Sequence, residues 1–422
     1  MQVELLHDDP KRGRWVAATR DIPVGSLVME SVPYSYVLSP SLWSERCQVC
    51  FQATNTLQRC SRCRLVYYCT KACQLADWKE NHKIECPKLP YLYQQPSALL
   101  SDILLVSRTL RKVAGKSPSP TPVNEPVVSP HDLVWFEEDR KLMRDVARAT
   151  HHYKLVNPEE NSVAEVEEIL CRFHCNNFAI TDELLLEIGA GCFPWGAMVN
   201  HSCANNCIIT YAPKTQTMEL RAIEPIPQGS EISQPYVDVG LAFSKRREML
   251  KQHYHFDCDC ARCTQQGSSS DNNLDDDSGN PLLMQAARWC NEAARCSNLQ
   301  DAIDLYRQAL DARGSVLTQW NVSLLEVHSQ LLTLFIDLGD VSSAVDTALT
   351  IYEFYKRMYV RNHALVGLHL YTLGDLEWQN NMQDESLVHL NEALRILNIT
   401  HGSGHALVVG LDHQIRRFSS TR

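Results

Sequence analysis

Four pairs of metal-ligating side chains crowd into residues 47–86: Cys47 and Cys50, Cys60 and Cys63, Cys69 and Cys73, His82 and Cys86. Two or three residues separate the members of each pair, so both side chains of one turn can reach the same ion, and eight ligands suit two tetrahedral Zn²⁺ sites. Spacing alone leaves open whether successive or alternate pairs share an ion. The stretch has too few apolar residues to fold by burial, so its zinc is expected to be structural and its sites closed. Further on, FDCDCARC supplies Cys258, Cys260 and Cys263, one thiolate short of a tetrahedral site. VNHSCANNC, residues 199–207, can supply the fourth as Cys203. It also sets Asn200 and His201 beside that cysteine, which allows three readings: a metal site, a nucleophilic cysteine, or a loop that binds something else.

These residues belong to a chain of 422 residues with 44% hydrophobic content, enough for two or three domains with a sizeable core. The opening MQVELLHDDP is not a basic segment followed by an apolar run, and no stretch approaches the roughly 18–20 apolar residues of a membrane span. A soluble, intracellular protein without a membrane partner is expected. Of the seventeen cysteines, eleven fall into short-spaced clusters, which in such a chain favours metal binding over disulfides. Cys171, Cys175, Cys192, Cys207, Cys290 and Cys296 stay outside the ligand scheme as buried thiols. Of the net charge of −10, residues 271–422 carry 19 acidic against 11 basic side chains, which argues against a global nucleic-acid footprint. Residues 47–86 hold six Lys and Arg against three acids, enough only for weak, salt-sensitive DNA contact.

Two stretches read as exposed, mobile linkers: the Pro/Ser-rich residues 113–130 and the Ser/Asn/Asp-rich residues 264–281. ATRDIPVGS (18–26) is echoed by AIEPIPQGS (222–230), each with turn chemistry between apolar runs, as though one β domain were interrupted from residue 47 to about 170. Beyond 281 apolar residues recur at helical spacing. ALTIYEFYKRMYVRNHALV (348–366) and ALRILNITHGSGHALV (393–408) share both ends, which predicts stacked helix pairs of about 40 residues.

The ligand order of residues 47–86 matches the MYND zinc finger. Asn200-His201-Ser202-Cys203, CNNFAI (175–180), the sequence around Tyr236 and the FDCDCARC tail resemble a SET methyltransferase core with its post-SET zinc. Together, and over essentially the whole chain, they are similar to the SET and MYND domain-containing (SMYD) family of protein-lysine methyltransferases. The resemblance implies an α+β multidomain fold: residues 1–46 as the N-terminal part of SET, 47–86 the finger, 87–170 a helical insert, 171–256 the catalytic core, 257–263 the post-SET zinc segment, 264–281 a linker, and 282–422 an all-α tetratricopeptide-like domain. It implies three zinc ions, held by Cys47, Cys50, Cys69 and Cys73; by Cys60, Cys63, His82 and Cys86; and by Cys203, Cys258, Cys260 and Cys263.

By the same resemblance, S-adenosylmethionine would lie where the Asn-His loop crosses the tyrosine segment, touched by Gly13, Arg14, Asn176, Asn200, His201, Tyr236 and Phe256. Phe178, Tyr236 and Tyr254 would form the lysine channel, with Tyr236 as the catalytic hydroxyl. The implied partners are a protein substrate with a target lysine, such as a basic histone tail, and a proline-rich peptide at the finger, for a monomeric enzyme of cytoplasm and nucleus. The sequence departs from the family where Trp15 replaces the second glycine of Gly-x-Gly, where Ala204-Asn205 follows the loop, and where Pro235 precedes Tyr236. These departures bear on cofactor affinity. They motivate an alternative, an inactive SET scaffold that binds partners through its finger and helices; a RING-like ubiquitin ligase leaves most of the chain unexplained.

Overall fold

The computed structural model describes residues 2–10, 12–115, 128–157, 159–267 and 280–420. The linkers expected at 113–130 and 264–281 lie largely outside these residues. At their edges, Val113 and Ala114 end a helix and residues 264–267 continue one.

The β domain opens with an antiparallel hairpin, β1 (Val3–Asp9) and β2 (Gly13–Ala18), turned at Gly13 with φ +62°, a conformation that favours glycine. Strand β3 (Leu27–Ser31) edges a sheet with two strands far along the chain, β10 (Cys207–Tyr211) and β11 (Met218–Ala222). A second sheet sets β4 (Ser35–Leu38) against β8 (Glu187–Cys192) and β7 (Asn177–Thr181). The two echoed segments pair with each other: Ile22 and Ile226 exchange both backbone bonds (2.8 and 3.0 Å), and Gly25 N–H and Gly229 N–H donate to Ala222 and Ala18 carbonyls. Both glycines have φ near +80°. The repeated Ile-Pro-x-Gly-Ser is thus two equivalent turns clasped together, and this clasp closes the β domain across its insertion.

The insertion begins with the finger: the hairpin β5 (Gln58–Arg59) and β6 (Tyr67–Tyr68), then α1 (Lys71–Asp77), α2 (Lys83–Glu85) and α3 (Leu89–Leu92). Helix α4 (Ser97–Ala114) runs back along β4 and β8, followed by α5 (Arg140–His152) and α6 (Val163–Asn176), which leads into β7. Val66 and Tyr68 of the finger, with Leu89 just after it, bury in the same core as Val37, Leu104 and Ile180. The finger's few apolar residues therefore gain burial from the β domain as well as order from metal. Glu85, 1% exposed, fixes the seam: Arg108 of α4 grips it with two bonds (3.1 and 2.8 Å) and Arg111 with a third (2.7 Å).

After the parallel two-residue strands β9 (Asn200–His201) and β12 (Ser233–Gln234) come α7 (Phe243–Tyr254) and α8 (Ala261–Gly267). The helical third follows as α9 (Pro281–Ala293), α10 (Leu299–Gly314), α11 (Val322–Leu338), α12 (Val341–Met358), α13 (Ala364–Gln379), α14 (Gln383–His401) and α15 (Ala406–Ser420). Each helix packs on its sequence neighbour, and pairs start at 281, 322 and 364 before the last helix at 406, the period of about 40 residues expected. The shared His-Ala-Leu-Val has a local cause: His363 and His405 accept at Nδ1 from the amides of Leu365 and Leu407, starting α13 and α15. No described helix is long and apolar enough to cross a membrane.

Candidate active site and metal centres

Cys47, Cys50, Cys69 and Cys73 converge, as do Cys60, Cys63, His82 and Cys86, and in each group the ligand atoms lie within 4.8 Å of one another. Alternate pairs therefore meet. Zinc–sulfur bonds of about 2.3 Å place the ligands of a tetrahedral ion about 3.8 Å apart. The observed separations fit: Cys50–Cys69 3.5 Å, Cys69–Cys73 3.7 Å, Cys60–Cys86 3.9 Å. His82 turns Nε2 inward, 3.3 Å from Cys60 Sγ and 3.6 Å from Cys63 Sγ. The first two pairs share one local design: Phe51 N–H and Arg64 N–H reach back to the carbonyls of Cys47 and Cys60 (both 3.0 Å), and Phe51 and Arg64 take φ of +56° and +57°. Non-glycine residues adopt that conformation at a cost, which metal ligation offsets. The third group is Cys203 with Cys258, Cys260 and Cys263, Cys203 Sγ lying 3.6 Å from Cys263 Sγ. All three donor sets are thiolate or imidazole and suit Zn²⁺.

His201 is not among these ligands. Strand β9 lies parallel to β12, pairing Asn200 with Ser233 and His201 with Gln234, so the loop crosses the segment that carries Tyr236. Tyr236 N–H donates to His201 Nδ1 (2.9 Å), which leaves the ring hydrogen on Nε2, 3.2 Å from Cys203 Sγ. Burial holds this imidazole neutral, its pKa down at about 4. The ring thus connects a metal-site thiolate to the backbone of Tyr236. Asn206 ties the same loop to the same segment, accepting from Ser233 N–H (2.9 Å) and donating to the Glu231 carbonyl (2.8 Å).

Asn200 donates through Nδ2 to the Arg14 carbonyl (3.0 Å) and to Glu231 Oε1 (3.1 Å). Arg12 pairs with the other Glu231 oxygen (3.2 Å) and lies over the Trp15 ring (4.8 Å). Trp15 therefore leaves the Gly13 turn open: nothing lies within 4 Å of where a Gly13 side chain would begin. Phe256 stands 6.0 Å from the His201 ring and 6.5 Å from that of Tyr236.

Beside this crossing a cavity of about 420 Å³ is lined by Asn176, Phe178, Tyr236 and Tyr254. Tyr236 and Tyr254 rings lie 4.8 Å apart, and Tyr254 Oη donates to the Tyr236 carbonyl (3.3 Å). The Tyr236 hydroxyl donates to the Val199 carbonyl (2.9 Å). Burial raises the phenol pKa of Tyr236, and Tyr254 is raised likewise. Both hydroxyls stay protonated at neutral pH. Asn176 Nδ2 is committed to the carbonyls of Val134 (2.8 Å) and Arg172 (2.7 Å), so its Oδ1 is the atom left for the site.

Four further residues came without a sequence signal. Tyr211, bonded to the Ala179 carbonyl (2.8 Å), adds a third tyrosine to the cavity. Leu185 reaches it from a β7–β8 turn with φ +63°, and His363 reaches it from the helical third. Glu231 orients Asn200 from a segment with no motif of its own.

Fold and site define a class: a β domain crossed by its own Asn-His loop, carrying an inserted zinc finger and a helical array. Residues 47–86 match the MYND finger family. Histone-lysine N-methyltransferase ASHR1 of Arabidopsis thaliana is 28% identical over 93% of this chain and 90% of its own. N-lysine methyltransferase SMYD2-B of Xenopus laevis is 28% identical over 97% of both, and histone-lysine N-methyltransferase SMYD3 of Homo sapiens 25% over 95% and 94%. Over nearly its whole length the chain is similar to these lysine methyltransferases, and residues 47–86 carry a MYND finger. Among solved structures, the SET domain of LSMT bound to lysine and AdoHcy is similar with a TM-score of 0.31 at 9% identity, covering 99% of this chain and 87% of that one; a score so low bears on neither fold nor function.

Proposed function

We propose that the chain is an S-adenosylmethionine-dependent protein-lysine N-methyltransferase. The observation that carries this reading is the crossing of β9 and β12, which joins the Asn200-His201 loop, the Tyr236 hydroxyl and an aromatic-walled cavity in one place. The curated relatives that span the chain end to end are lysine methyltransferases by name. S-adenosylmethionine, when bound, supplies a methyl group activated by a sulfonium charge. Arg14, Asn200, His201 and Phe256, with the open turn at Gly13, would hold it, and Asn176 would offer Oδ1.

The chain's own part is to deliver a dry, neutral amine in line. Phe178, Tyr236 and Tyr254 present aromatic faces that accept a lysine ammonium as water is left behind. A low-dielectric channel then favours loss of its proton. Because the Tyr236 hydrogen is committed to Val199, its oxygen lone pairs remain for the cavity, as an acceptor that orients the amine. Alignment supplies much of the acceleration for such a displacement.

The three closed donor sets would each hold one structural zinc, and the segment boundaries drawn from the sequence are proposed as the domain boundaries. Basic tails such as histones, a proline-rich ligand for the finger, a monomeric state and residence in cytoplasm and nucleus belong to the same proposal. No observation favours the scaffold alternative. Calorimetric titration of the zinc-loaded protein with S-adenosylmethionine tests the reading: micromolar one-site binding is expected, and absence of heat from a folded protein would overturn it.

A further inference from the structure

The small apolar cluster that surrounds the site draws nearly all its members from the β domain and the zinc segment: Cys203, Val237, Val239, Tyr236, Tyr254 and Phe256 among them. One member comes from elsewhere. Tyr359, at the end of α12 in the helical third, packs into this cluster and donates its hydroxyl to Asp238 Oδ1 (3.1 Å). The same oxygen accepts Gly240 N–H (2.8 Å), and the Asp238 carbonyl accepts Leu241 N–H (3.2 Å), so Asp238 organises the turn between Tyr236 and α7. That helix ends at Tyr254, whose hydroxyl returns to the Tyr236 carbonyl.

The approach is close enough to dictate a residue type. A Cβ on Gly240 would collide with the Tyr359 hydroxyl, although the Gly240 backbone is ordinary. On its other face Tyr359 stacks on His363 (4.5 Å between ring centres, 24° between planes), and His363 lines the same cavity as Tyr236. One turn of the helical third therefore touches both the segment after Tyr236 and the lining of the cavity.

We propose that Tyr359 is a positioning residue of the methyl-transfer site: through Asp238 it fixes the 237–241 turn and hence the register of Tyr236 and Tyr254. The inference rests on the methyltransferase reading above. On it, the helical array is part of the working site, held by one phenol at a glycine.

The test compares Tyr359→Phe, which keeps the ring, its cluster packing and its stack on His363, with Asp238→Ala, which removes the accepting oxygen, and Gly240→Ala in the full zinc-loaded chain. Tyr371→Phe, which removes a phenol bonded to Gln414 inside the helical array, serves as control. Amide hydrogen exchange is read over residues 236–241, alongside transfer of labelled methyl from S-adenosylmethionine to a pool of extracted cell proteins. The expected result is faster exchange confined to that turn in all three variants, with kcat down about tenfold at unchanged KM for S-adenosylmethionine, and with melting temperature unchanged in Tyr359→Phe; tenfold is about 1.4 kcal/mol of barrier. Tyr359→Phe combined with Asp238→Ala should fall no further than Asp238→Ala alone. Unchanged exchange, or faster exchange with unchanged kcat, would overturn the inference and leave the methyltransferase reading intact. A wild-type protein that binds no S-adenosylmethionine and transfers no methyl would instead overturn that reading, and this one with it.

Discussion

Tyr236→Phe separates what the phenol does for the fold from what it does for chemistry. The substitution keeps the ring, and with it the contacts to Tyr254, His201 and Phe256 at centroid distances of 4.8, 5.4 and 6.5 Å. It removes one hydrogen bond, to the Val199 carbonyl. That carbonyl keeps a second donor, Gln234 Nε2 at 3.1 Å, so it is not orphaned. The folding cost should therefore stay within about 1 kcal/mol, the net worth of a typical neutral hydrogen bond. On a unit of this size that is a melting shift of about 3 °C. The chemical cost is larger. Loss of one preorganised polar partner at a reacting centre is worth about 2.7–4 kcal/mol, or 10²–10³ in kcat. The assay is single-turnover methyl transfer at saturating S-adenosylmethionine, with melting and zinc content measured on the same preparation. Turnover within about threefold of wild type would refute the assignment of Tyr236. An equal loss in a variant that has shed zinc or melts far lower would show that the hydroxyl serves folding instead.

Other outcomes follow from the same geometry. Cys263→Ser should lower bound zinc from three to two per chain by plasma emission while the finger sites stay filled, because its donor set is separate from theirs. Methyl transfer should fall too, since Cys203 no longer anchors the loop whose His201 holds Tyr236. Glu85→Gln leaves Arg108 buried without its anion, at a cost of about 3–5 kcal/mol, visible as a lower urea midpoint for the finger and β domain; an unchanged midpoint would remove that pair from the account of the seam. Burial holds His363 and His401 at about 4, below the ordinary 6.5. Between those values the unfolded chain binds protons that the folded chain does not, so stability is fully present above pH 6.5 and is lost as pH falls toward 4, by about 1.4 kcal/mol per pH unit for each ring. His363→Asn, which keeps a cap for α13, should make the fall of melting temperature with acid shallower; an identical slope would contradict the burial argument.

The sequence by itself determined whatever depends on near neighbours. Paired cysteines at two- and three-residue spacing must meet, because one turn of backbone carries both. The repeated Ile-Pro-x-Gly-Ser announced two like turns, and the helical period beyond 281 followed from apolar spacing. Resemblance to a family with the same motifs supplied the remaining roles, residue by residue. What spacing could not decide was which pairs share an ion: the fold brings Cys47 and Cys50 to Cys69 and Cys73 because the β5–β6 hairpin turns the chain back between them.

The tertiary structure alone decided the rest. Asn200 is oriented by Glu231, thirty-one residues away, and His201 reads as a plain buried histidine until Cys203 and the Tyr236 amide appear at its two nitrogens. Trp15, which stands where the family has its second glycine, is covered by Arg12 and leaves the Gly13 turn open. Tyr211, Leu185 and His363 enter the cavity from three separate elements, and Tyr359 reaches Asp238 across 121 positions of chain. Such contacts have no local signature. They arise when surfaces buried for other reasons are brought together, and only the packed chain shows which polar groups then face each other.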